Sequence, residues 1–359
     1  ELEADLRAAL DAVAAESDPA HDRRRRSGDA ADAAERERAL DAARLAALDA
    51  LDAAAASLDA LDTSALDTSA LDEPAELRDL PTLELPAPAR DLRRTARMAR
   101  RGGFHLVYQP IVSLDGGRVV GAEALLRWRR PNGDVVPPDV FIPVAEESGL
   151  IVPLGRWALR EACRQLAAWD ATWTPMHGKP LRLSVNLSPR QLLDPQLCQD
   201  VAEALADHGV GPERLLLELT ETAMMQDPER AGARLRELKA LGLRLALDDF
   251  GTGYSSLGHL RRFPVDVLKI DRAFVRELAP GADFGRGDAA LVRAVVRMAD
   301  ALGLRTVAEG IEHPAQVDTL RALGCALGQG FAYAAPLAPS GFAALLDEQL
   351  AHGALKPVA

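Results

Sequence analysis

The chain has 359 residues, 48% of them hydrophobic, and its 42 Lys and Arg against 54 Asp and Glu give a net charge of −12. That balance excludes broad electrostatic binding to polymeric nucleic acid or to an anionic membrane face. No apolar run approaches the roughly 18 residues of a membrane span, and the charged N-terminus has no signal-peptide core. The three cysteines, Cys163, Cys198 and Cys325, are scattered and form neither a disulfide framework nor a metal-ligand spacing. A reducing compartment, the cytoplasm, is expected. The chain opens at Glu1 rather than Met, which predicts a fragment of a longer protein.

The acidity is confined to one end. Residues 1–90 hold 22 acidic and 10 basic residues, whereas residues 91–359 hold 32 of each. The first 90 residues also lack Phe, Trp, Tyr and Ile, and the first aromatic is Phe104. A segment without large apolar groups cannot offset its ordering entropy by burial, so no globular domain is expected there. Leu2, Leu6, Leu10 and Val13 make one helical stripe, predicting a short helix over 1–17 that ends at Asp18-Pro19. Residues 18–90 read as an Ala/Asp-rich, low-complexity acidic segment, helical or disordered. The basic run Arg23 to Arg26 reads as a solvated charge cluster. A repeat, Thr63-Ser-Ala-Leu-Asp67 then Thr68-Ser-Ala-Leu-Asp72, fits no steady helical stripe, and Pro74, Pro81, Pro86 and Pro88 mark a linker.

From Phe104 onward, short apolar runs alternate with amphipathic stretches of helical length. The runs are Phe104–Val112, Val119–Trp128, Leu181–Leu187, Leu215–Leu219, Leu243–Leu247, Val265–Ile270, Leu304–Ala308 and, more weakly, Ala326–Phe331. Helices are expected at about 155–169, 198–208, 228–240, 288–302, 314–323 and 340–350. Such alternation argues for a parallel sheet with helical cover. Eight strands in a chain of this size match an α/β barrel of the (β/α)8, TIM-like kind, with a doubly wound open sheet as the competing architecture. The tight turn Ser113-Leu-Asp-Gly-Gly117 makes the first two runs a hairpin, so the barrel is expected to carry one antiparallel strand.

Polar residues close these runs. Glu123 lies in the second, Asn186 ends the third, and Glu218 and Glu221 follow in the fourth. Asp248 and Asp249 end the fifth, Lys269 and Asp271 the sixth, Glu309 the seventh, and Gln329 the eighth. The C-terminal ends of barrel strands converge on one mouth, where active sites lie. Carboxylates crowded there repel one another, and one Lys is too little to balance them. Oxygen ligands suit hard divalent ions such as Mg2+ or Mn2+. The adjacent Asp248 and Asp249 suit a pair of metals able to activate water and clamp a phosphoester, with Lys269 holding the water or the phosphate. Any single acid at a strand end is more often a helix cap, but capping alone does not account for polar closures in successive runs. Asp249-Phe250-Gly251 also spells a kinase metal motif, yet no Gly-rich phosphate loop or His-Arg-Asp loop accompanies it. Thr252-Gly-Tyr-Ser-Ser256 is either an ordinary turn or a lid beside the site.

Together these strings resemble the EAL-domain family, the cyclic di-GMP phosphodiesterases of bacteria. The matching text is Tyr108-Gln-Pro-Ile-Val112, Glu123-Ala-Leu-Leu-Arg-Trp128, Phe141-Ile-Pro-Val-Ala-Glu146, Ser184-Val-Asn-Leu-Ser-Pro189, Glu218-Leu-Thr-Glu221, Asp248-Asp-Phe-Gly-Thr-Gly-Tyr-Ser-Ser-Leu257, Leu268-Lys-Ile-Asp271, Val307-Ala-Glu-Gly-Ile-Glu312 and Gln329-Gly-Phe331. The resemblance implies a TIM-like barrel over residues 91–359 that opens cyclic di-GMP to linear 5'-pGpG. It implies that Glu123, Asn186, Glu218 and Asp248 bind a first metal, and that Asp248 bridges to a second with Asp249 beside it. Lys269 matches the residue that orients the nucleophilic water, Glu309 a general base or metal ligand, and Gln329 a position beside water and metal. Glu221 matches the glutamate that pins the loop after the fifth strand, and Gln109, Leu125 and Arg127 match substrate contacts. Family members work as cytoplasmic homodimers with Mg2+ or Mn2+, two ions per site, are inhibited by Ca2+, and often carry an upstream sensory or GGDEF domain. The family often has Cys-Asp in its last strand, where this chain has Cys325-Ala326. Leu2–Leu10 resembles the helix that precedes the family's first strand, with Asp91–Arg101 as its rival. The competing function is a catalytically silent barrel that binds cyclic di-GMP or docks a partner. The ligand set is complete in this sequence, which favours the enzyme.

Overall fold

The computed structural model describes residues 103–130, 133–177, 180–225, 227–250, 262–278 and 287–357. The helix expected at 1–17, the 18–90 segment, the stretch 91–101 and the hydroxylic loop at 252–256 lie outside the described residues. The hairpin comes first: β1 (Phe104–Ser113) and β2 (Val119–Arg129) are joined by a turn in which Ser113 N donates to Arg118 O and Gly117 N to Ser113 O, both at 2.8 Å. β3 (Val135–Val136), α1 (Pro138–Glu147) and α2 (Ile151–His177) follow. Strands and helices then alternate through β4 (Arg182–Asn186), α3 (Pro189–Leu192), α4 (Leu197–His208), β5 (Leu215–Thr220), α5 (Glu221–Met225), α6 (Pro228–Ala240) and β6 (Arg244–Phe250). The chain ends with β7 (Val267–Ile270), α7 (Arg272–Arg276), α8 (Gly287–Ala301), β8 (Arg305–Ala308), α9 (Pro314–Ala322), β9 (Leu327–Gly328) and α10 (Pro339–His352).

Neighbouring strands run in the order β1, β9, β8, β7, β6, β5, β4, β2, and β2 pairs again with β1. Eight strands thus close into a barrel, with β3 appended to β2. The links from β2 through β4 to β9 are all parallel, whereas β1 is antiparallel to β9. This is the expected barrel with one reversed strand, and closure removes the open-sheet alternative. The reversal has a local cause: the five-residue turn at 113–117 can join only antiparallel neighbours, because parallel ones need a crossover of a dozen or more residues. Ile111, Leu216, Ala246, Val267 and Val307 pack together as the interior cluster. No described helix is long and apolar enough to cross a membrane.

The described chain forms two compact units. The first holds 106–126 and the chain from 158 onward, including the barrel. Outside the barrel wall, Trp169 of α2 packs edge-on against Tyr108, with ring centroids 4.7 Å apart, and lies tilted by 38° against Phe342 of α10 at 4.5 Å. The second unit holds 103–105 and 127–157. Its own small core stacks Phe104 on Trp128 at 5.1 Å and sets Phe141 edge-on to both, at 5.7 and 5.9 Å. β3 and α1 are not among the elements that periodicity predicts. Proline disfavours helix interiors, yet Pro138 occupies the first helical turn, where its missing N–H costs nothing. Burial of Val140, Phe141, Val144 and Ala145 holds the helix despite Pro143.

Candidate active site

The residues that close the strands share the interior face. Leu216, Ala246, Val267 and Val307 belong to the interior cluster. Strand side chains alternate, so Glu218, Asp248, Lys269 and Glu309, each two positions further on, point inward at the C-terminal rim. Lys269 stands at the centre. Its ammonium lies 2.6 Å from Glu218 Oε2, 2.6 Å from Glu309 Oε1, 3.1 Å from Asp248 Oδ2 and 3.4 Å from Glu123 Oε2. Asn186 Nδ2 donates to Glu123 Oε1 at 2.7 Å, and Gln329 Nε2 donates to Glu123 Oε2 at 2.6 Å and to Glu309 Oε1 at 3.2 Å. Glu123, Asn186, Glu218, Asp248, Lys269, Glu309 and Gln329 therefore form one connected cluster drawn from seven neighbouring strands.

Two further features aim the acids. Adjacent strand residues face opposite sides, so Asp248 and Asp249 could not both reach the rim in a regular strand. The β6–β7 register slips between Leu247 and Phe250, and Asp249 takes a left-handed φ of 54°. A bulge of this kind re-aims side chains. Asp249 N donates to Asp248 Oδ1 at 2.9 Å, and one carboxylate oxygen each from Asp248, Asp249 and Glu309 lie within 4.8 Å of one another. Glu309 and Gln329 are each followed by a glycine where chains approach closely. A Cβ on Gly310, at φ +65°, would lie 2.4 Å from Arg272 Cβ, and one on Gly330 would lie 2.1 Å from Ile311 O.

Charge explains how the cluster titrates. Four carboxylates face one ammonium, so burial must be offset unevenly. Lys269 is only 1% exposed, and burial favours its neutral form; Glu123, Glu218, Glu309 and Asp248 outweigh this and hold it protonated well above its ordinary value. Burial pushes Glu123 upward, but the Lys269 charge and hydrogen bonds from Gln329, Asn186 and Lys269 win, so its carboxyl sits below the usual range. Burial, then the charges of Glu123 and Asp248, drive Glu218 well above it despite Lys269. Burial raises Glu309 to about 8, with Lys269 opposing and Asp248 adding. Asp249 rises to about 6 through burial and the charges of Asp248 and Asp271.

The donor set fits a divalent cation. Every candidate ligand is a hard oxygen, the preference of Mg2+ and Mn2+. Glu218 Oε1 and Gln329 Oε1 are buried with no hydrogen-bond partner among the described residues, an expensive condition unless something positive meets them.

The other expected residues divide. Gln109 is buried on β1, and its Nε2 donates to Ala334 O at 3.3 Å rather than to a carboxylate of the cluster. Leu125 lies two residues beyond Glu123 on β2, half-buried. Arg127, also half-buried, belongs to the second unit. Glu221 opens α5, one residue beyond β5, and is half-buried. Asp271, one of the acids at the strand ends, is a helix cap: its Oδ1 accepts from Ala273 N at 2.7 Å at the start of α7. Ser188 of the Ser-Pro motif likewise caps α3.

The fold and site define a closed α/β barrel with an acidic, lysine-centred mouth. The EAL domain family model matches residues 89–336, and the chain belongs to that family. The chain is 43% identical over 236 residues to the bifunctional diguanylate cyclase/cyclic di-GMP phosphodiesterase MucR of Pseudomonas aeruginosa, covering 65% of this chain and 33% of MucR. It is 41% identical over 239 residues to the cyclic di-GMP phosphodiesterase PA2567 of the same organism, covering 66% of this chain and 39% of that protein. The chain thus spans about a third of the length of these curated relatives. Among solved structures, the PaMucR phosphodiesterase in complex with c-di-GMP is similar with a TM-score of 0.62 and 42% identity, covering 70% of this chain and 99% of that one.

Proposed function

We propose that this chain hydrolyses cyclic di-GMP to linear 5'-pGpG in a reaction that depends on divalent metal, two ions of Mg2+ or Mn2+ per site. The observation that carries the reading is the Lys269 ammonium set among four carboxylates from separate strands, an excess of negative charge that a single lysine leaves unbalanced. Membership of the EAL domain family and the similarity to MucR and PA2567, both cyclic di-GMP phosphodiesterases by name, support it. Glu123, Asn186, Glu218, Asp248 and Asp249 would hold the ions. When bound, such ions supply Lewis-acid charge for the developing negative charge on phosphate oxygens and acidify water.

The chain's own groups do the rest. Lys269, held protonated, orients the attacking water. Glu309, within reach of Lys269 and Gln329, takes a proton from it as the new P–O bond forms. The P–O3' bond breaks and the leaving 3'-oxygen gains a proton, which yields the 5'-phosphate and a free 3'-hydroxyl. Gln329 fixes Glu123 and Glu309. Gln109, Leu125 and Arg127 contact the dinucleotide, Arg127 offering a planar fork to a phosphate. Glu221 positions the loop after β6. The same proposal places the chain in a cytoplasmic homodimer with an upstream sensory or GGDEF domain; the second, cyclase activity of MucR, of which the matched region is a third, supports the additional domain.

The test is chromatographic detection of pGpG from cyclic di-GMP with Mg2+, with EDTA, and with Glu123→Ala. Turnover that needs metal and falls by orders of magnitude in the variant, with the circular dichroism spectrum retained, supports the reading. Equal turnover in the variant, or binding of cyclic di-GMP by the metal-loaded wild type without turnover, defeats it.

A further inference from the structure

We propose that the base of the barrel, at the opposite end from the carboxylates, holds a second site that binds an oxyanion of the phosphate class, and that Arg182, Arg244, Arg305 and Ser113 form it. Arg182, Arg244 and Arg305 are the first residues of β4, β6 and β8. All three face inward. Asn186 reaches Glu123 across the interior, so Ser184, 2% exposed, and Arg182 share its face. Ala246 and Val307 lie in the interior cluster, two residues beyond Arg244 and Arg305.

The register sets them at one level. Arg244 pairs with Leu216, which stands two residues past the position aligned with Arg182, because Leu183 pairs with Leu215. Arg305 pairs with Val267, which pairs with Ala246, two residues past Arg244. A stagger of one residue per strand is what an eight-stranded barrel of shear 8 requires of residues in one layer. One further step reaches Val307, paired with Leu327, which pairs with Ser113. Ser113 follows the interior residue Ile111 by two positions and is the fourth member of the layer. Barrel layers of this kind are usually filled by branched apolar residues, not by three guanidinium groups.

Their charge is not spent. None of the three arginines makes an ion pair among the described residues. The nearby acid Asp266 gives both oxygens to Lys239, at 2.7 and 2.8 Å, and one also to Leu245 N. Arg214 is bound to Asp170 and to Leu181 O. Arg182 is disfavoured as a cation by burial, then by Arg244 and Arg305, with Glu213 opposing. Arg182 and Arg244 are half-buried and Arg305 is exposed at the open floor, and like charges gathered there create a standing demand for an anion. The planar forks of arginine match phosphate oxygens, and three of them suit a multiply charged ligand. The base lies four residues below Asp248 along β6, about 13 Å away, so this site is separate from the mouth.

The experiment is calorimetric titration of the metal-free chain, in EDTA at fixed ionic strength, with inorganic pyrophosphate and with a nucleoside 5'-triphosphate. Wild type is expected to bind one anion per chain. Arg305→Met and Arg244→Met each weaken binding about tenfold or more, the worth of one charged hydrogen bond. Without anion, both variants should melt no lower than wild type, because repulsion has been relieved. Saturable pyrophosphate binding identifies a free anion, and binding of the triphosphate alone identifies a nucleoside-borne one; either supports the site. Absence of binding by both probes, or equal binding by wild type and the variants, overturns it. The variants keep metal-dependent turnover at the mouth, which shows that they are folded.

Discussion

Replacing Lys269 by methionine removes the ammonium while keeping an unbranched side chain of similar length. Lys269 is 1% exposed and touches Glu218, Glu309, Asp248 and Glu123 at 2.6 to 3.4 Å. Removing one partner of a buried ion pair costs about 3–5 kcal/mol, because the other charge stays buried and unbalanced. That cost exists only while the acids are ionised. The ordinary carboxyl value is 4.5, and Glu309 is already raised to about 8 with the lysine present. A carboxyl raised on folding gives stability that is full below its unfolded value and lost as pH climbs toward the folded one. Glu123 runs the other way in wild type: its lowered value adds stability above about 4.5, and Lys269 is the principal charge behind it. In metal-free protein the Lys269→Met penalty should therefore be about 3–5 kcal/mol at pH 8. Near pH 4.5 it should shrink below about 1.5 kcal/mol, the cost of a volume-conserving swap. Urea unfolding followed by tryptophan fluorescence in EDTA measures both. Mg2+ at pH 8 should narrow the gap by neutralising the same acids. A penalty of equal size at both pH values would refute the electrostatic reasoning.

Wild type in EDTA should itself lose stability between pH 4.5 and 8 as the raised Glu309 is forced to ionise, and Mg2+ should flatten that slope; thermal melts across the range decide it. Asp249→Gly should leave stability equal or higher, since glycine accepts the φ of 54° without strain, while turnover collapses; unfolding curves and product assays on one preparation separate the two effects. Trp128→Ala removes the ring between Phe104 and Phe141 and should cost about 3–5 kcal/mol by urea unfolding. Native protein at pH 8 should expose one thiol to iodoacetamide, Cys198. Cys163 and Cys325 are buried, and burial pushes them up to about 12 and about 11; labelling of all three in folded protein would contradict the packing.

The cluster at the mouth was legible because two simple periods cooperate there. Apolar alternation marks where each strand runs, and convergence of strand ends then turns seven scattered polar residues into neighbours. What periodicity could not supply lay in departures from it. The bulge at Asp248 and Asp249 breaks the period of two, so no pattern says that both carboxyls face the rim. Asp271 stands beside Asp249, whose carboxyl its charge helps to raise, and it also caps the next helix through Ala273 N; only backbone geometry shows that second role. The helix at 138–147 was hidden by its prolines, since their penalty is visible in sequence and the burial that offsets it is not. The arginines at 182, 244 and 305 carry a readable signal, each being the second residue of an otherwise apolar run.

The reversal of β1 decides how the barrel is wired to whatever adjoins it. In an all-parallel barrel the chain enters at the floor, far from the chemistry. Here the first strand travels the other way, so Leu106 lies toward the same rim as Glu123 and Lys269 while Ser113 lies at the floor. The last described residues run instead past the turn at the floor, where Leu355 N meets Gly117 O at 2.7 Å. A force applied at Leu106 therefore enters the barrel beside the carboxylates, whereas one applied at Leu355 enters at the floor.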